Sequence, residues 1–377
     1  MSRLRRPPAR VWVWTAATLV VVAVAVLAWR GSDAAATSST TAEAAVPGAG
    51  SPAAQVSQVW DAPLDGPPAA VQSGRVVVPT ADGVSVLDPA TGDEAWHYTR
   101  TGARLCGSTS VDDVVVVLFS TGGRCNELTA LRAATGERLW YRSVGFRPDA
   151  TLSSTDRIVL ASSPTGLATV DPVGNNVRWH HAAPAGCRLT SAEAGSTGVA
   201  AVQECRDGSS QVVLLDGFDG TQLWSRDLGG DPARVVGADR LVDVVVGDQL
   251  EVLSQADGTT LQALALAPGA ADGPLLQTGA DTTALVWAGG TASALDATTG
   301  AVRWSVPGLG LPAPADDKAD PGTVVVPEEG AFVTRDLATG AEVSRSTTAD
   351  DVPAGGRTAL VGSTVVVTTT DAVAAYR

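Results

Sequence analysis

The stretch LDPATGDEAW (87–96) decides the fold, because the chain repeats it. Four clear variants follow at LRAATGERLW (131–140), VDPVGNNVRW (170–179), LDGFDGTQLW (215–224) and LDATTGAVRW (295–304). Two less regular copies are LSQADGTTLQ (253–262) and RDLATGAEVS (335–344). Successive copies begin 38 to 45 residues apart. A period of about 40 residues is typical of a β-propeller, in which each repeat forms one blade.

A run rich in valine precedes each copy of the repeat. Examples are RVVVPT (75–80), DVVVVLFS (113–120) and TVVVPE (323–328). These runs are short, β-branched and almost continuously apolar, which is the pattern of strands buried on both faces. A glycine within most copies, such as Gly92 or Gly136, marks a tight turn that needs a positive φ. The sequence therefore predicts an all-β fold beyond residue 60.

The two ends of the repeat region complete each other. DAVAAYR (371–377) matches DGVSVLD (82–88), but the chain ends there without a turn or a tryptophan. QVSQVWDAPLDG (55–66) has the last strand of a repeat without the strands before it. We therefore predict an eight-bladed β-propeller over residues 55–377, closed by the N-terminal strand near Trp60. A blade shared in this way leaves no free strand edge at the closure of the ring.

The N-terminal segment is of another kind. Residues 11–29 are uncharged and mostly apolar, with Trp12, Trp14 and Trp29 at the two ends, and residues 1–10 hold four arginines and no acid. Nineteen residues of helix span about 28 Å, close to one hydrocarbon core. The positive charge predicts a cytoplasmic tail over 1–10, a transmembrane helix over 11–29 and a single-pass protein of the cell membrane whose propeller is extracytoplasmic. A cleaved signal peptide is the alternative.

Composition separates a linker from an acidic propeller. Residues 30–54 are mostly Ala, Ser, Thr, Gly and Pro, which predicts a flexible linker. Residues 1–59 carry a net charge of +3 and the remainder −17, which argues against nucleic acid as a partner. One lysine against 25 arginines indicates a high-GC genome, and we take an actinobacterial origin as a hypothesis.

The four cysteines form two pairs of similar spacing. Cys106 and Cys125 are 19 residues apart, and Cys187 and Cys205 are 18 apart, at corresponding places in two repeats. In an oxidising compartment an even number of cysteines so placed predicts the disulfides Cys106–Cys125 and Cys187–Cys205. A metal site is the alternative, although no CxxC motif occurs and no histidine adjoins these cysteines.

The repeated phrase resembles the tryptophan-docking motif of the pyrroloquinoline-quinone (PQQ) propeller superfamily, over residues 56–377. In that family the tryptophan packs between neighbouring blades against the turn that contains glycine. The resemblance implies weaker docking where Gln262 and Ser344 replace the tryptophan. It also implies a structural docking role for Trp60, Trp96, Trp140, Trp179, Trp224 and Trp304.

The superfamily has two functional branches. Quinoprotein alcohol dehydrogenases hold PQQ in the central channel beside a ring formed by two adjacent cysteines, with a Ca²⁺ bound by Glu, Asn and Asp. This chain has no Cys-Cys pair and three asparagines in total. The chain is more similar to the non-catalytic BamB-like branch, so the resemblance implies neither a cofactor nor a metal. It departs from BamB in carrying an apolar helix where BamB has a lipid-modified cysteine.

The sequence contains no other catalytic pattern that we recognise. It lacks GxSxG, HExxH and Walker motifs. The repeated acids recur at the mouths of turns, where Asp accepts hydrogen bonds from nearby backbone N–H groups, and Ca²⁺ binding is the alternative. They are Asp88, Asp171, Asp216 and Asp296.

We predict no catalytic residue. The predicted function is a non-catalytic protein-interaction scaffold or ligand-sensing module of the cell envelope, with an unidentified envelope protein as its partner. A PQQ-dependent oxidoreductase and a polysaccharide-binding module are the alternatives. The polar segment 312–322 is a candidate contact with a partner.

Overall fold

A long N-terminal helix precedes a ring of small antiparallel sheets. The computed structural model describes residues 8–44, 50–155, 157–314 and 322–377. These residues form the eight-bladed β-propeller that the repeats predict. Most of the predicted cytoplasmic tail and most of the polar segment 312–322 lie outside the described residues.

The long helix α1, Ala9–Arg30, has no buried residue. With 22 residues, this helix is long and apolar enough to cross a membrane, a property that membrane anchors and signal sequences share. After a one-turn helix α2, Asp33–Ala36, the chain becomes extended. Two short strands then precede the first blade, β1 (Thr37–Ser39) and β2 (Gln58–Pro63).

Blades 1 to 4 each contain four consecutive antiparallel strands. Blade 1 is β3 (Ala70–Gln72), β4 (Arg75–Thr80), β5 (Gly83–Leu87) and β6 (Glu94–Arg100). Blade 2 is β7 (Arg104–Val111), β8 (Val114–Thr121), β9 (Arg124–Arg132) and β10 (Arg138–Ser143). Blade 3 is β11 (Thr151–Ser154), β12 (Val159–Ser163), β13 (Gly166–Asp171) and β14 (Asn176–Ala182). Blade 4 is β15 (Cys187–Ala194), β16 (Gly198–Cys205), β17 (Ser210–Asp216) and β18 (Gln222–Gly229).

Blades 5 and 6 continue this pattern, and blades 7 and 8 depart from it. Blade 5 is β19 (Ala233–Gly237), β20 (Val242–Val246), β21 (Gln249–Leu253) and β22 (Thr260–Ala265). Blade 6 is β23 (Leu275–Ala280), β24 (Thr283–Ala288), β25 (Thr291–Asp296) and β26 (Val302–Pro307). The next strand, β27 (Gly310–Pro312), pairs in parallel with blade 8, so blade 7 has three described strands, β28 (Thr323–Glu328), β29 (Ala331–Asp336) and β30 (Glu342–Thr347). Blade 8 contains β31 (Gly356–Val361), β32 (Thr364–Thr368) and β33 (Ala372–Tyr376).

The outer strand of blade 8 comes from the other end of the chain. β2 pairs antiparallel with the C-terminal strand β33, and Trp60 lies opposite Ala375. On the N-terminal side of β2, the Val56 amide donates a hydrogen bond to Thr347 O in blade 7. The two chain ends therefore close the ring through backbone hydrogen bonds, as the incomplete repeats at residues 55–66 and 371–377 predict.

Part of the segment that we expected to be a flexible linker is structured. β1 pairs antiparallel with β6, with Ser38 opposite Thr99, and forms a fifth strand on the outer edge of blade 1. The Ala42 amide donates a hydrogen bond to Thr135 O in blade 2. An extended Ser/Thr-rich segment can satisfy the open hydrogen-bonding edge of an outer strand without apolar side chains, and composition alone does not reveal this pairing.

The hydrophobic core is divided among the junctions between blades. In the described residues, eight apolar clusters each draw on two neighbouring blades, including the junction between blades 8 and 1. The second strand of each blade contributes to clusters on both of its faces. Val115 and Val116 of β8, for example, are both fully buried, on the sides of blades 1 and 3 respectively. This environment explains the continuous valine runs in the sequence.

Candidate functional site in the central channel

Outer-strand tryptophans connect six of the eight blades to the next blade. In each case indole Nε1 donates a hydrogen bond to a backbone carbonyl, that of the residue after the repeated Asp position. The pairs are Trp60–Pro89 (3.0 Å), Trp96–Ala133 (3.0 Å), Trp140–Pro172 (2.7 Å), Trp179–Gly217 (3.1 Å), Trp224–Gln255 (2.9 Å) and Trp304–Leu337 (2.9 Å). These contacts lie between blades, and none of the six belongs to the described lining of the central channel.

Five of the six turns that face an indole have a glycine there, and these turns leave little room for a side chain. At Gly220, φ is +78° and an added Cβ would lie 2.8 Å from the Trp179 ring. Blade 3 has Asn175, with φ of 52°, at the same position of the turn. Trp140, which faces that turn, remains partly exposed, whereas Trp96 is 0% exposed. The six tryptophans therefore each make the same type of hydrogen bond, but they differ in how far the indole is buried.

Two junctions are built without a docking tryptophan. Between blades 5 and 6, the Leu261 side chain takes the position in front of Gly300. Between blades 7 and 8, the buried Val56 packs with Phe332 and Tyr376, whose ring centroids are 4.9 Å apart. Apolar contacts therefore replace the indole at both junctions.

The repeated aspartates bind their own turns. Asp296 Oδ1 accepts hydrogen bonds from the amides of Thr298 (3.0 Å) and Thr299 (2.9 Å), and Oδ2 accepts one from Arg303 (2.6 Å). The Arg303 hydrogen bond and the two amides hold the pKa of Asp296 well below its usual range. Asp336 Oδ1 likewise accepts from the Thr339 amide at 2.8 Å. In the described parts of the chain, no group of three or more His, Cys, Asp or Glu residues is placed to hold a metal.

Both disulfides predicted from the spacing are present. Cys106 on β7 is bonded to Cys125 on β9, and Cys187 at the start of β15 is bonded to Cys205 at the end of β16. Each disulfide joins two strands of one blade. The bonds therefore stabilise individual blades and do not tie one blade to another.

The central channel contains a cavity of about 450 Å³. Its described lining comes mainly from the innermost strands of the blades. On the side of blades 2 and 3 the lining consists mostly of small hydroxyl side chains, among them Ser108, Thr109, Thr151 and Ser153. Asp112, between β7 and β8 of blade 2, adds one acid on this side. The other charges lie on the side of blades 4, 5, 6 and 8, where the lining includes Glu193, Asp239, Gln277, Thr278 and Arg357.

Gln277 holds blades 5 and 6 together beside the channel. Its Nε2 donates hydrogen bonds to Leu241 O (3.0 Å) and to Asp243 Oδ2 (2.8 Å), and its Oε1 accepts one from the Asp239 amide (2.9 Å). Asp243 is 0% exposed, and its Oδ1 has no hydrogen-bond partner within the described residues. Burial raises the pKa of Asp243 to about 7, an effect that the Gln277 hydrogen bond opposes.

Three charged side chains, Arg357, Asp239 and Glu193, line this side of the channel, and two of them have an unpartnered atom within the described chain. Arg357 Nη2 donates a hydrogen bond to Gln277 O (2.8 Å), while its buried Nη1 has no partner among the described residues. Asp239 Oδ2 accepts a hydrogen bond from the Gly279 amide (2.9 Å), and its buried Oδ1 is likewise unpartnered in that part of the chain. Burial raises the pKa of Glu193 to about 7, and the charge of Arg357 opposes this rise.

The residues of the channel do not fit the quinone cofactor that the dehydrogenase branch would imply. The described lining offers no aromatic ring on which a planar cofactor could stack, and it contains no cysteine. The partners in each disulfide are separated by 18 or 19 residues, so neither bond forms the ring of two adjacent cysteines. We therefore derive no reaction through PQQ.

Sequence reasoning missed the residues of the channel and the buried acid beside it. Asp243 has the clearest signal, as a single acid inside the valine-rich run LVDVVVG (241–247). A charge in a strand buried on both faces needs a specific partner, and here the partner is Gln277. Glu193 and Arg357 have no comparable signal, because each lies among small and polar residues in SAEAGS (191–196) and GGRTAL (355–360).

Repeat, ring closure and docking contacts together define the protein as an eight-bladed propeller of the PQQ-repeat type. The chain belongs to the family whose model is described as outer membrane protein assembly factor BamB, which matches residues 48–203 and 194–375. No curated protein matches the chain in a sequence comparison.

Solved structures share the fold at low sequence identity. BamB from Moraxella catarrhalis is 17% identical, with 85% of this chain and 99% of that chain covered and a TM-score of 0.50. The computationally designed Ika8 protein is 16% identical over 85% and 99% of the two chains, with a TM-score of 0.54. A quinohemoprotein alcohol dehydrogenase from Pseudomonas putida HK5 is 11% identical over 86% and 76%, with a TM-score of 0.48. These similarities concern the fold and do not assign an activity.

Proposed function

We propose that this protein is a non-catalytic scaffold that holds envelope proteins close to the outer surface of the cell membrane. The observation that carries the proposal is the short connection between α1 and the propeller. α1 ends at Arg30, and the Thr101 amide of blade 1 already donates a hydrogen bond to Ala36 O at 2.8 Å. The residues between them span at most about 20 Å when extended.

The attachment continues beyond this first hydrogen bond. The Thr40 amide donates to His97 O at 3.1 Å, and Arg75 Nη2 donates to Glu43 O at 3.2 Å. Together with the pairing of β1 and β6, these contacts attach the chain to blade 1. A propeller attached in this way stays near the membrane, whereas a long free linker would let it move away from the membrane surface.

The orientation of the chain in the membrane and the class of protein that we propose are supported by separate features. The arginines before α1 favour a cytoplasmic N terminus, and the two disulfides favour an oxidising compartment for the propeller. We take α1 to be retained as a single-pass anchor, so the protein recovered from membranes has the full mass of 38.1 kDa. The family description names an assembly factor, and contact with partner proteins is the part of that role that we assign to this chain.

Crosslinking in cells tests the scaffold. The full-length chain carries an affinity tag, cells are treated with a short crosslinker, and the captured proteins are identified by mass spectrometry. We expect a membrane or envelope protein to be recovered in every replicate. The matched variant has about 20 Gly/Ser residues inserted after Gly31, and we expect it to capture less of that protein because the propeller is no longer held near the membrane. Failure to recover a reproducible partner would contradict the proposal.

A further inference from the structure

The channel combines a cavity with polar groups that lack partners. Besides Arg357 Nη1 and Asp239 Oδ1, the hydroxyl of Thr278 is buried without a hydrogen-bond partner in the described residues. Thr278 is 3% exposed and belongs to the lining of the cavity. Buried donors and acceptors are costly when they remain unpaired, and a group of them around one cavity is the pattern of a binding site.

The charges of this group have both signs. Arg357 interacts electrostatically with Glu193 and Asp239, but neither carboxylate forms an ion pair with the guanidinium among the described residues. The opposite charges are therefore separated within the cavity wall. A bound molecule can lie between them and pair with both.

We propose that the channel binds a small zwitterion, an α-amino acid or a dipeptide, whose carboxylate pairs with Arg357 and whose ammonium pairs with Asp239 and Glu193. A guanidinium binds a carboxylate through parallel hydrogen bonds, and an ammonium donates three hydrogen bonds to carboxylate and hydroxyl oxygens. Most of the remaining lining is small, with alanine, serine, threonine and valine side chains, and it is compatible with a short molecule. This site does not depend on the scaffold function, because residues of the channel form it.

Other ligand classes leave part of the group unsatisfied. A simple anion would pair with Arg357 but would be repelled by Glu193 and Asp239. A simple cation would pair with Glu193 and Asp239 but would be repelled by Arg357, and Arg357 Nη1 would stay unpaired. A neutral sugar usually stacks on an aromatic ring, and the described lining offers none. A zwitterion carries both charges and can therefore pair with both the guanidinium and the carboxylates of the wall.

Ligand binding to the full-length chain in detergent tests the site. The proteinogenic L-amino acids, Ala-Ala and glucose are screened by thermal shift, and each compound that raises the Tm is titrated by calorimetry. We expect at least one zwitterion to bind and glucose not to bind. The N-acetyl and the C-terminal amide derivatives of that zwitterion each lack one charge, and we expect each to bind at least about tenfold more weakly.

Three variants connect binding to the channel. Arg357→Gln and Asp239→Asn should each weaken binding of the zwitterion by at least about tenfold. The matched control is Arg345→Gln, on outer strand β30, and it should bind like the unchanged protein. Asp239→Asn keeps the shape of the side chain and provides the test if Arg357→Gln does not fold. The proposal is overturned if no zwitterion binds, if glucose or either derivative binds as well as the parent, or if Arg345→Gln loses as much affinity as the channel variants.

Discussion

The repeated turns and the tryptophans that face them, which we call the rim, differ from the central channel in how they bind an aspartate. At the rim, Asp296 accepts hydrogen bonds from two backbone amides and from Arg303. Beside the channel, the buried Asp243 accepts one hydrogen bond from Gln277. The pKa of the aspartate at the rim is therefore lowered, whereas the pKa of the aspartate next to the channel is raised. Asp296 belongs to the repeat and Asp243 does not. The repeated acids are occupied by the turns that they stabilise, so the residues available for a ligand are found among those that do not repeat.

The largest effect is expected from removing a buried rim tryptophan. Trp96→Ala deletes a fully buried ring and its hydrogen bond to Ala133 O, and should lower the free energy of unfolding by about 3–5 kcal/mol. Trp140→Ala is the matched comparison, because Trp140 makes the same type of hydrogen bond while partly exposed. This substitution should lower the free energy of unfolding by less. Urea unfolding followed by tryptophan fluorescence measures both. Equal losses would show that burial does not distinguish the two junctions.

Removing a disulfide acts inside one blade. The Cys106→Ser, Cys125→Ser double variant opens a loop with a sequence separation of 19, and should lower the free energy of unfolding by about 3 kcal/mol. Binding in the channel should be unchanged, because neither cysteine belongs to the described lining. Thermal unfolding and ligand titration of the same sample measure the two effects. A lost affinity in a protein that still folds would mean that the disulfide also positions the residues of blade 2 that line the channel.

The buried acid beside the channel should make stability depend on pH. Asp243 has a folded pKa of about 7 against an ordinary value of 3.8, so its stabilising proton is lost as the pH rises through 7. Asp243→Asn cannot ionise and keeps an acceptor for Gln277. Its stability relative to the unchanged protein should therefore grow by about 3 kcal/mol between pH 5 and pH 8. Unfolding curves at the two pH values measure this change, and a constant difference between the two proteins would refute it.

The rim acid should show the smaller effect with the opposite sign. Asp296 has a lowered folded pKa, so the stability that it contributes is present above pH 3.8 and declines as the pH falls below that value. Asp296→Asn should therefore be slightly less stable than the unchanged protein at pH 7, and this deficit should shrink at pH 3. Thermal unfolding at both pH values measures it. A stabilising effect at pH 7 would remove the contrast between rim and channel.

Most of the ring could be predicted because its signals are local and repeated. Gly220 must leave room for Trp179, the turn aspartates bind amides two and three residues ahead, and valine runs mark strands covered on both faces. The strand β1 could not be predicted, because Thr37–Ser39 pairs through its backbone with β6, some 60 residues away. Nothing in the composition of that segment distinguishes it from a free linker.

The repeat period, the eighth blade completed from both chain ends, the two disulfides and the apolar helix all follow from the order of the residues. Each depends on spacing along the chain or on the environment that a single strand requires. The channel depends on the folded ring, because Glu193, Asp239 and Arg357 belong to blades 4, 5 and 8 and meet when the ring closes. Their separated charges, the unpartnered atoms of Asp239 and Arg357 and the raised pKa of Glu193 arise from burial and from neighbours distant in sequence, which only the tertiary structure brings together.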